Sequence, residues 1–170
     1  NPRKGRTSYA AAIGTDTEAL ANMALMTSHS FWFPTSAGQD FIRLMEFRWE
    51  DYEPLRAWTT SASWRNMSTD FISYYHDEIY VSKVSAIIPW AFIQHHESWI
   101  QGDPNPGCAI KVNDDGSYVI QPGYYFYKQL SRFGQRGMRV AETYSESDEI
   151  KAIAFDGNHT GFGDVFVVIR

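Results

Sequence analysis

The sequence has little of several features that would assign a function class directly. It has one cysteine, Cys108, so no disulfide can form within the chain and the fold does not depend on a disulfide framework. Lys and Arg number 15 against 20 Asp and Glu, and this balance, a formal net charge of −5, excludes a basic footprint for nucleic acid. No apolar run reaches the ~18 residues that a membrane-spanning helix requires. We therefore expect one ordinary globular domain, or a piece of a larger protein, with neither nucleic acid nor membrane as a partner.

Aromatic side chains, by contrast, are abundant. They make up 16% of the 170 residues, with 6 Trp, 10 Tyr and 11 Phe. A hydrophobic core uses some of these rings, and a cleft that stacks flat ligands uses others.

Apolar patterning over the first hundred residues alternates between strand-like and helix-like segments. The spacing predicts one helix capped by Asp16 or Thr15, and another capped by Ser68 or Thr69 with Glu78 towards solvent. Residues 39–53 have the spacing of a further helix, and the segments 7–13, 24–31, 55–60 and 86–94 are predicted to be strands. The last of these is a continuous apolar run, which is typical of a parallel strand covered on both faces. The order β-α-β-α-β-α-β predicts a parallel α/β arrangement with right-handed crossovers.

The pattern changes after residue 99. Two short apolar runs at 109–112 and 118–120 flank Asn-Asp-Asp-Gly, which predicts a β-hairpin. Residues 124–133 have helical spacing and stop at Gly134. The remainder, 138–170, alternates like an antiparallel sheet.

The three predicted strand ends carry Trp beside His, Gln, Ser or Arg. In a parallel α/β barrel, functional side chains follow the C-terminal ends of the strands. This mixture suits a sugar, because its ring faces stack on indole while its hydroxyls need fixed donors and acceptors. The candidate substrate-binding residues are His29, Trp32, Trp64, Trp90, Gln94, His95, Glu97 and Trp99.

The order of these motifs resembles the C-terminal half of a clan A glycoside hydrolase, a retaining (β/α)8-barrel enzyme. His29 matches the His or Tyr that often ends strand six, and Trp90 matches the Trp beneath the substrate after strand eight. The segment Tyr-Lys-Gln-Leu-Ser-Arg-Phe at 127–133 resembles helix eight of family 30-like and agarase-like members. The resemblance covers most of the chain through short motifs in matching order. It implies that residues 1–135 form the second half of the barrel and that 136–170 begin a β-sandwich domain.

One position departs from the family. In Trp-Thr-Thr-Ser at 58–61, Ser61 stands where the family has its nucleophilic Glu. A retaining glycosidase needs two carboxyls about 5 Å apart, and serine is a poor substitute for either. We favour the interpretation that the nucleophile has been deliberately replaced by a small residue, a change that traps substrate or makes a glycosynthase. Two alternatives stay open. The protein is a natural non-catalytic carbohydrate-binding protein of the same fold, or Ser61 is merely a turn residue.

The resemblance also implies a partner. The family's acid/base ends strand four in an Asn-Glu motif, which lies upstream of everything in this chain. The chain starts at Asn1 without an initiator Met and ends in a strand, which fits a fragment. We expect the N-terminal half of the barrel as partner, a β-linked poly- or oligosaccharide as substrate, no cofactor, no metal, and a secreted or periplasmic location. The chain alone is expected to be inactive.

Two rival assignments stay open. Glu46 is an alternative nucleophile, although its helical surroundings favour an ordinary solvated side chain. An unrelated α/β domain would instead use His29, His95 and His96 with Glu97 as a metal site, although their spacing fits no closed zinc pattern.

Overall fold

The computed structural model describes residues 16–28, 56–62, 64, 70–95, 107–158, 160–161 and 163–169. Over these residues the protein is mixed α/β, with three small three-stranded sheets. The strands in these ranges do not close into a barrel. The chain divides into two compact units. The first unit takes the described residues of Asn1–Ala62 and Asp77–Ile88, and the second those of Ser63–His76 and Pro89–Arg170.

The first sheet has the strand order β1-β2-β3. These strands are β1 (Leu25–Ser28), β2 (Arg56–Ala62) and β3 (Ala86–Pro89). The pairing of β1 with β2 is parallel, in the register Leu25 to Arg56, as predicted for this pair of strands.

Two helices accompany this sheet. Helix α1 (Thr17–Ala21) begins after Asp16, whose Oδ1 accepts hydrogen bonds from the amides of Glu18 and Ala19, both at 3.0 Å. The predicted Asp16 cap is thus confirmed. Helix α2 (Asp70–Tyr80) connects β2 to β3, and a core of Ala57, Val84 and Ile87 lies in the first unit.

The predicted strand 86–94 is two strands. β3 ends at Pro89, whose ring leaves no amide hydrogen for a ladder, and β4 (Ile93–Gln94) belongs to a different sheet. The expectation of a strand covered on both faces is wrong, because Ile88 is exposed.

The second sheet has the order β4-β5-β6 and contains the predicted hairpin. β5 (Ile110–Val112) lies parallel to β4 and antiparallel to β6 (Tyr118–Ile120). Gly116 adopts φ 82 in the loop, a left-handed conformation that glycine tolerates without steric conflict. The hairpin prediction is confirmed.

Helix α3 (Pro122–Phe133) and an antiparallel sheet complete the second unit. The helix stops at Gly134, as predicted, where an added Cβ would lie 2.9 Å from Cζ of Phe155. The third sheet consists of β7 (Arg139–Ala141), β8 (Lys151–Asp156) and β9 (Val165–Ile169). Both of its pairings are antiparallel, which confirms the alternation seen in the sequence.

Candidate functional site

Ser61 lies near the C-terminal end of β2 and is half-buried. Its φ is 57, in the left-handed region that residues with a Cβ adopt only at a steric penalty. Strained backbone of this kind is concentrated at functional sites. The residue that the family resemblance aligns with the nucleophile thus has an unusual backbone conformation.

Beneath the same strand lies a buried carboxyl group that sequence reasoning missed. Glu78 is 1% exposed, and its Oε2 accepts a hydrogen bond of 2.5 Å from Oγ1 of Thr59, itself buried. The expectation that Glu78 faces solvent is therefore wrong. A buried carboxyl group needs hydrogen-bond partners, and Thr59 supplies one from the neighbouring strand.

The two described tryptophans of the candidate site have opposite environments. Trp90 follows β3 directly and is 47% exposed, and the Trp90–Ala91 peptide bond is cis. Trp64 is 0% exposed, and its indole N–H donates to the carbonyl oxygen of Ala91 at 2.9 Å. The indole of Trp90 is thus partly exposed, whereas the predicted direct contact of Trp64 with a ligand would first require its neighbours to move.

Trp64 belongs to an aromatic cluster in the second unit. The members of this aromatic cluster are Trp64, Phe71, Tyr75, Phe92, Tyr124 and Tyr127. Trp64 stacks on Phe71 with a centroid separation of 5.2 Å and an interplanar angle of 8°, and meets Phe92 and Tyr127 edge-on at 6.0 Å. Such pairs contribute about 0.5–1.5 kcal/mol each beyond burial. Burial also raises the pKa of the Tyr127 hydroxyl, which agrees with an enclosed setting.

Gln94 and His95 stand at the end of β4. Gln94 is buried, and His95 is half-buried with its Nε2 3.7 Å from Oδ1 of Asp114. This contact places His95 beside the hairpin loop between β5 and β6.

That loop is a turn stabilised by its own side chains. Oδ1 of Asp115 accepts hydrogen bonds from the hydroxyl of Ser117 at 2.6 Å and from its amide at 2.9 Å. Both bonds lower the pKa of the Asp115 carboxyl, and the bond from the Ser117 hydroxyl has the larger effect. Among the described residues, no three His, Cys, Asp or Glu side chains converge in a way that would hold a metal ion.

Several predicted site residues lie outside the described residues: His29, Trp32, Glu97, Trp99 and the rival candidates Glu46 and His96. Their roles stay predictions. Within the part of the chain that the structure covers, no helix is long and apolar enough to cross a membrane.

Comparison with known proteins does not assign a family to the chain. No family model matches the chain, and no curated protein matches it.

Proposed function

We propose that the chain is the C-terminal half of the catalytic barrel of a retaining glycoside hydrolase that acts on a β-linked poly- or oligosaccharide. Ser61 occupies the nucleophile position, and the N-terminal half of the barrel is the partner that supplies the acid/base. The parallel pairing of β1 with β2, and the helix that connects β2 to β3, support the half-barrel arrangement.

The observation that carries the proposal is the half-exposed indole of Trp90, two residues before Phe92 of the aromatic cluster. An exposed Trp directly after a strand offers a flat apolar face of the kind on which the C–H face of a pyranose stacks. A sugar that covers the exposed part of this ring would gain roughly 25 cal/mol for each Å² of apolar surface removed from water. His95, half-buried just after β4, would supply an imidazole for hydroxyl groups, and the buried Gln94 at the end of β4 would supply an amide once its neighbours move.

Binding tests the proposal first. We expect the chain to bind at least one of cellohexaose, xylohexaose or neoagarohexaose in isothermal titration calorimetry. Trp90→Ala should weaken that binding by about tenfold or more, since each 1.4 kcal/mol lost is roughly a factor of ten. The matched control is Tyr144→Ala, which removes an aromatic side chain that is 87% exposed and should leave the affinity unchanged. Equal affinities for the Trp90→Ala variant and the unmodified chain would contradict the proposal.

A non-catalytic carbohydrate-binding protein of the same fold is the second candidate. The hydroxyl of Ser61 at the nucleophile position favours it directly, because no carboxylate stands there. Both candidates predict dependence of sugar affinity on Trp90, and they differ in what a carboxylate at position 61 would do.

A further inference from the structure

We infer that Trp64 is a positioning residue: it fixes the backbone that carries Trp90 through the carbonyl of Ala91 and does not itself contact the sugar. This inference rests on the proposed carbohydrate-binding function. It assigns the two tryptophans, which the sequence pattern treats alike, to different tasks.

The orientation of the Trp64 ring is fixed from several sides. Phe71 stacks on it at 5.2 Å, while Phe92 and Tyr127 close in edge-on at 6.0 Å. Indole has a single hydrogen-bond donor, so a ring held in this way aims its N–H in one direction. That direction ends on the carbonyl oxygen of Ala91, at 2.9 Å.

The bond acts on the residue that follows Trp90. Trp90 and Ala91 lie in the short connection from β3, which ends at Pro89, to β4, which begins at Ile93. The next backbone anchor is at Phe92, whose carbonyl accepts from the amides of Ala109 at 3.1 Å and Ile110 at 3.0 Å. The Trp64 bond therefore restrains the backbone of the connection between these strands. This restraint limits the positions that the indole of Trp90 can adopt before a ligand binds. A preorganised contact loses less conformational entropy on binding, so removing the restraint should lower affinity.

A double-mutant cycle tests this mechanism. The four proteins are the unmodified chain, Trp64→Phe, Trp90→Ala and the double variant, measured by calorimetry with cellohexaose, xylohexaose and neoagarohexaose. Phe keeps a ring against Phe71 and removes the N–H donor together with the rest of the fused ring. We expect Trp64→Phe to weaken binding about three- to tenfold, the usual range for one hydrogen bond. In the Trp90→Ala background the same change should have no further effect, because the effect runs through Trp90.

Ile153→Val is the matched control for stability. Ile153 is fully buried in β8 of the same unit, so the change should lower the unfolding midpoint and leave sugar affinity intact. If Trp64→Phe fails to fold, benzothienylalanine at position 64 replaces the N–H by sulfur and keeps the fused-ring shape.

The outcomes separate the two levels of the argument. Unchanged affinity for Trp64→Phe, or an equal loss in both backgrounds, overturns the positioning role and leaves the carbohydrate site intact. Absence of binding to every probe, or full affinity in Trp90→Ala, overturns the proposed function and the positioning role together.

Discussion

At the scale of single residues, two non-glycine residues in the described part of the chain have positive φ angles, and the causes differ. Lys83 has φ 54 and follows the last turn of α2, where the amides of Val81 and Ser82 bond to the carbonyl of Asp77 at 2.9 and 3.0 Å. A left-handed residue is common just after a helix, although glycine is usual there. Ser61, with φ 57, lies within β2 and has no such local reason. Its conformation is imposed by the surrounding structure.

Glycine should relieve the penalty at both positions. A left-handed residue with a Cβ costs about 1–2 kcal/mol, and part of the gain is offset by the greater entropy of glycine in the unfolded chain. We expect Ser61→Gly and Lys83→Gly each to raise the free energy of unfolding by about 0.5–1 kcal/mol in urea denaturation.

Ser73→Gly is the matched control, because Ser73 lies inside α2. It should lower the free energy of unfolding by about 0.5–1 kcal/mol. A loss in Ser61→Gly as large as that in Ser73→Gly would show that the backbone at position 61 is not strained.

The burial of Glu78 shows where prediction from sequence fails at this scale. A glutamate in an amphipathic helix is solvated by default, and nothing within its own helix turn indicates otherwise. Its partner Thr59 lies 19 residues away in β2. Trp64 and Trp90 could be proposed as functional from their strand-end positions, but which of them reaches the surface depends on packing against Phe71, and the sequence does not contain that information locally.

At the scale of secondary-structure elements, those that depend only on residues near them in the chain could be predicted from the sequence. The β5–β6 hairpin follows from Asn-Asp-Asp-Gly between two apolar runs, and α3 follows from helical spacing that stops at Gly134. The break between β3 and β4 could not be predicted, although Pro89, which cannot donate a ladder hydrogen bond, lies at the end of β3. Strand continuity depends on pairing partners, and Ile93 pairs with Ile110 in a sheet to which β3 does not belong.

The hairpin turn should depend on pH. The hydrogen bonds from Ser117 lower the pKa of the Asp115 carboxyl in the folded protein below its value in the unfolded chain. This stabilisation is therefore present above the unfolded pKa, which lies near the ordinary value of 3.8, and is lost as pH falls through the lower folded pKa. The protection factor of the Ser117 amide, the ratio of its intrinsic to its observed exchange rate, should therefore fall on acidification.

Asp115→Ala should remove that acid-dependent change in protection by taking away the acceptor. Asp148→Ala, in an exposed loop outside the hairpin, should leave it in place. If protection at Ser117 in the unmodified chain did not change between pH 6 and strongly acidic solution, the turn would not depend on the Asp115 carboxylate.

At the scale of the whole molecule, the exposed apolar side chains require an explanation. Ile88 is exposed in the first unit. In the second unit Ile93, Ile110 and Ile120 stand in register across three strands, and Ile93 and Ile120 are exposed. Contiguous exposed apolar surface in a protein commonly marks an interface. The proposed N-terminal half of the barrel is the partner that the motif order implies, and it is also where the acid/base would reside.

The decisive experiment at this scale restores the carboxylate in the presence of that partner. Intact mass and gel analysis of the protein purified from its source should reveal a second polypeptide of comparable size, or a longer chain, with an Asn-Glu strand end.

Ser61→Glu in that assembly should hydrolyse the β-glycan that the chain binds, because a second carboxyl then stands opposite the acid/base. NMR of the first anomeric protons released should show retained configuration. Ser61→Gln, of nearly the same size but without a carboxylate, should stay inactive. An inactive Ser61→Glu assembly that still binds the glycan through Trp90 would contradict the hydrolase assignment, and the non-catalytic carbohydrate-binding protein would then be the function that accounts for both Ser61 and Trp90.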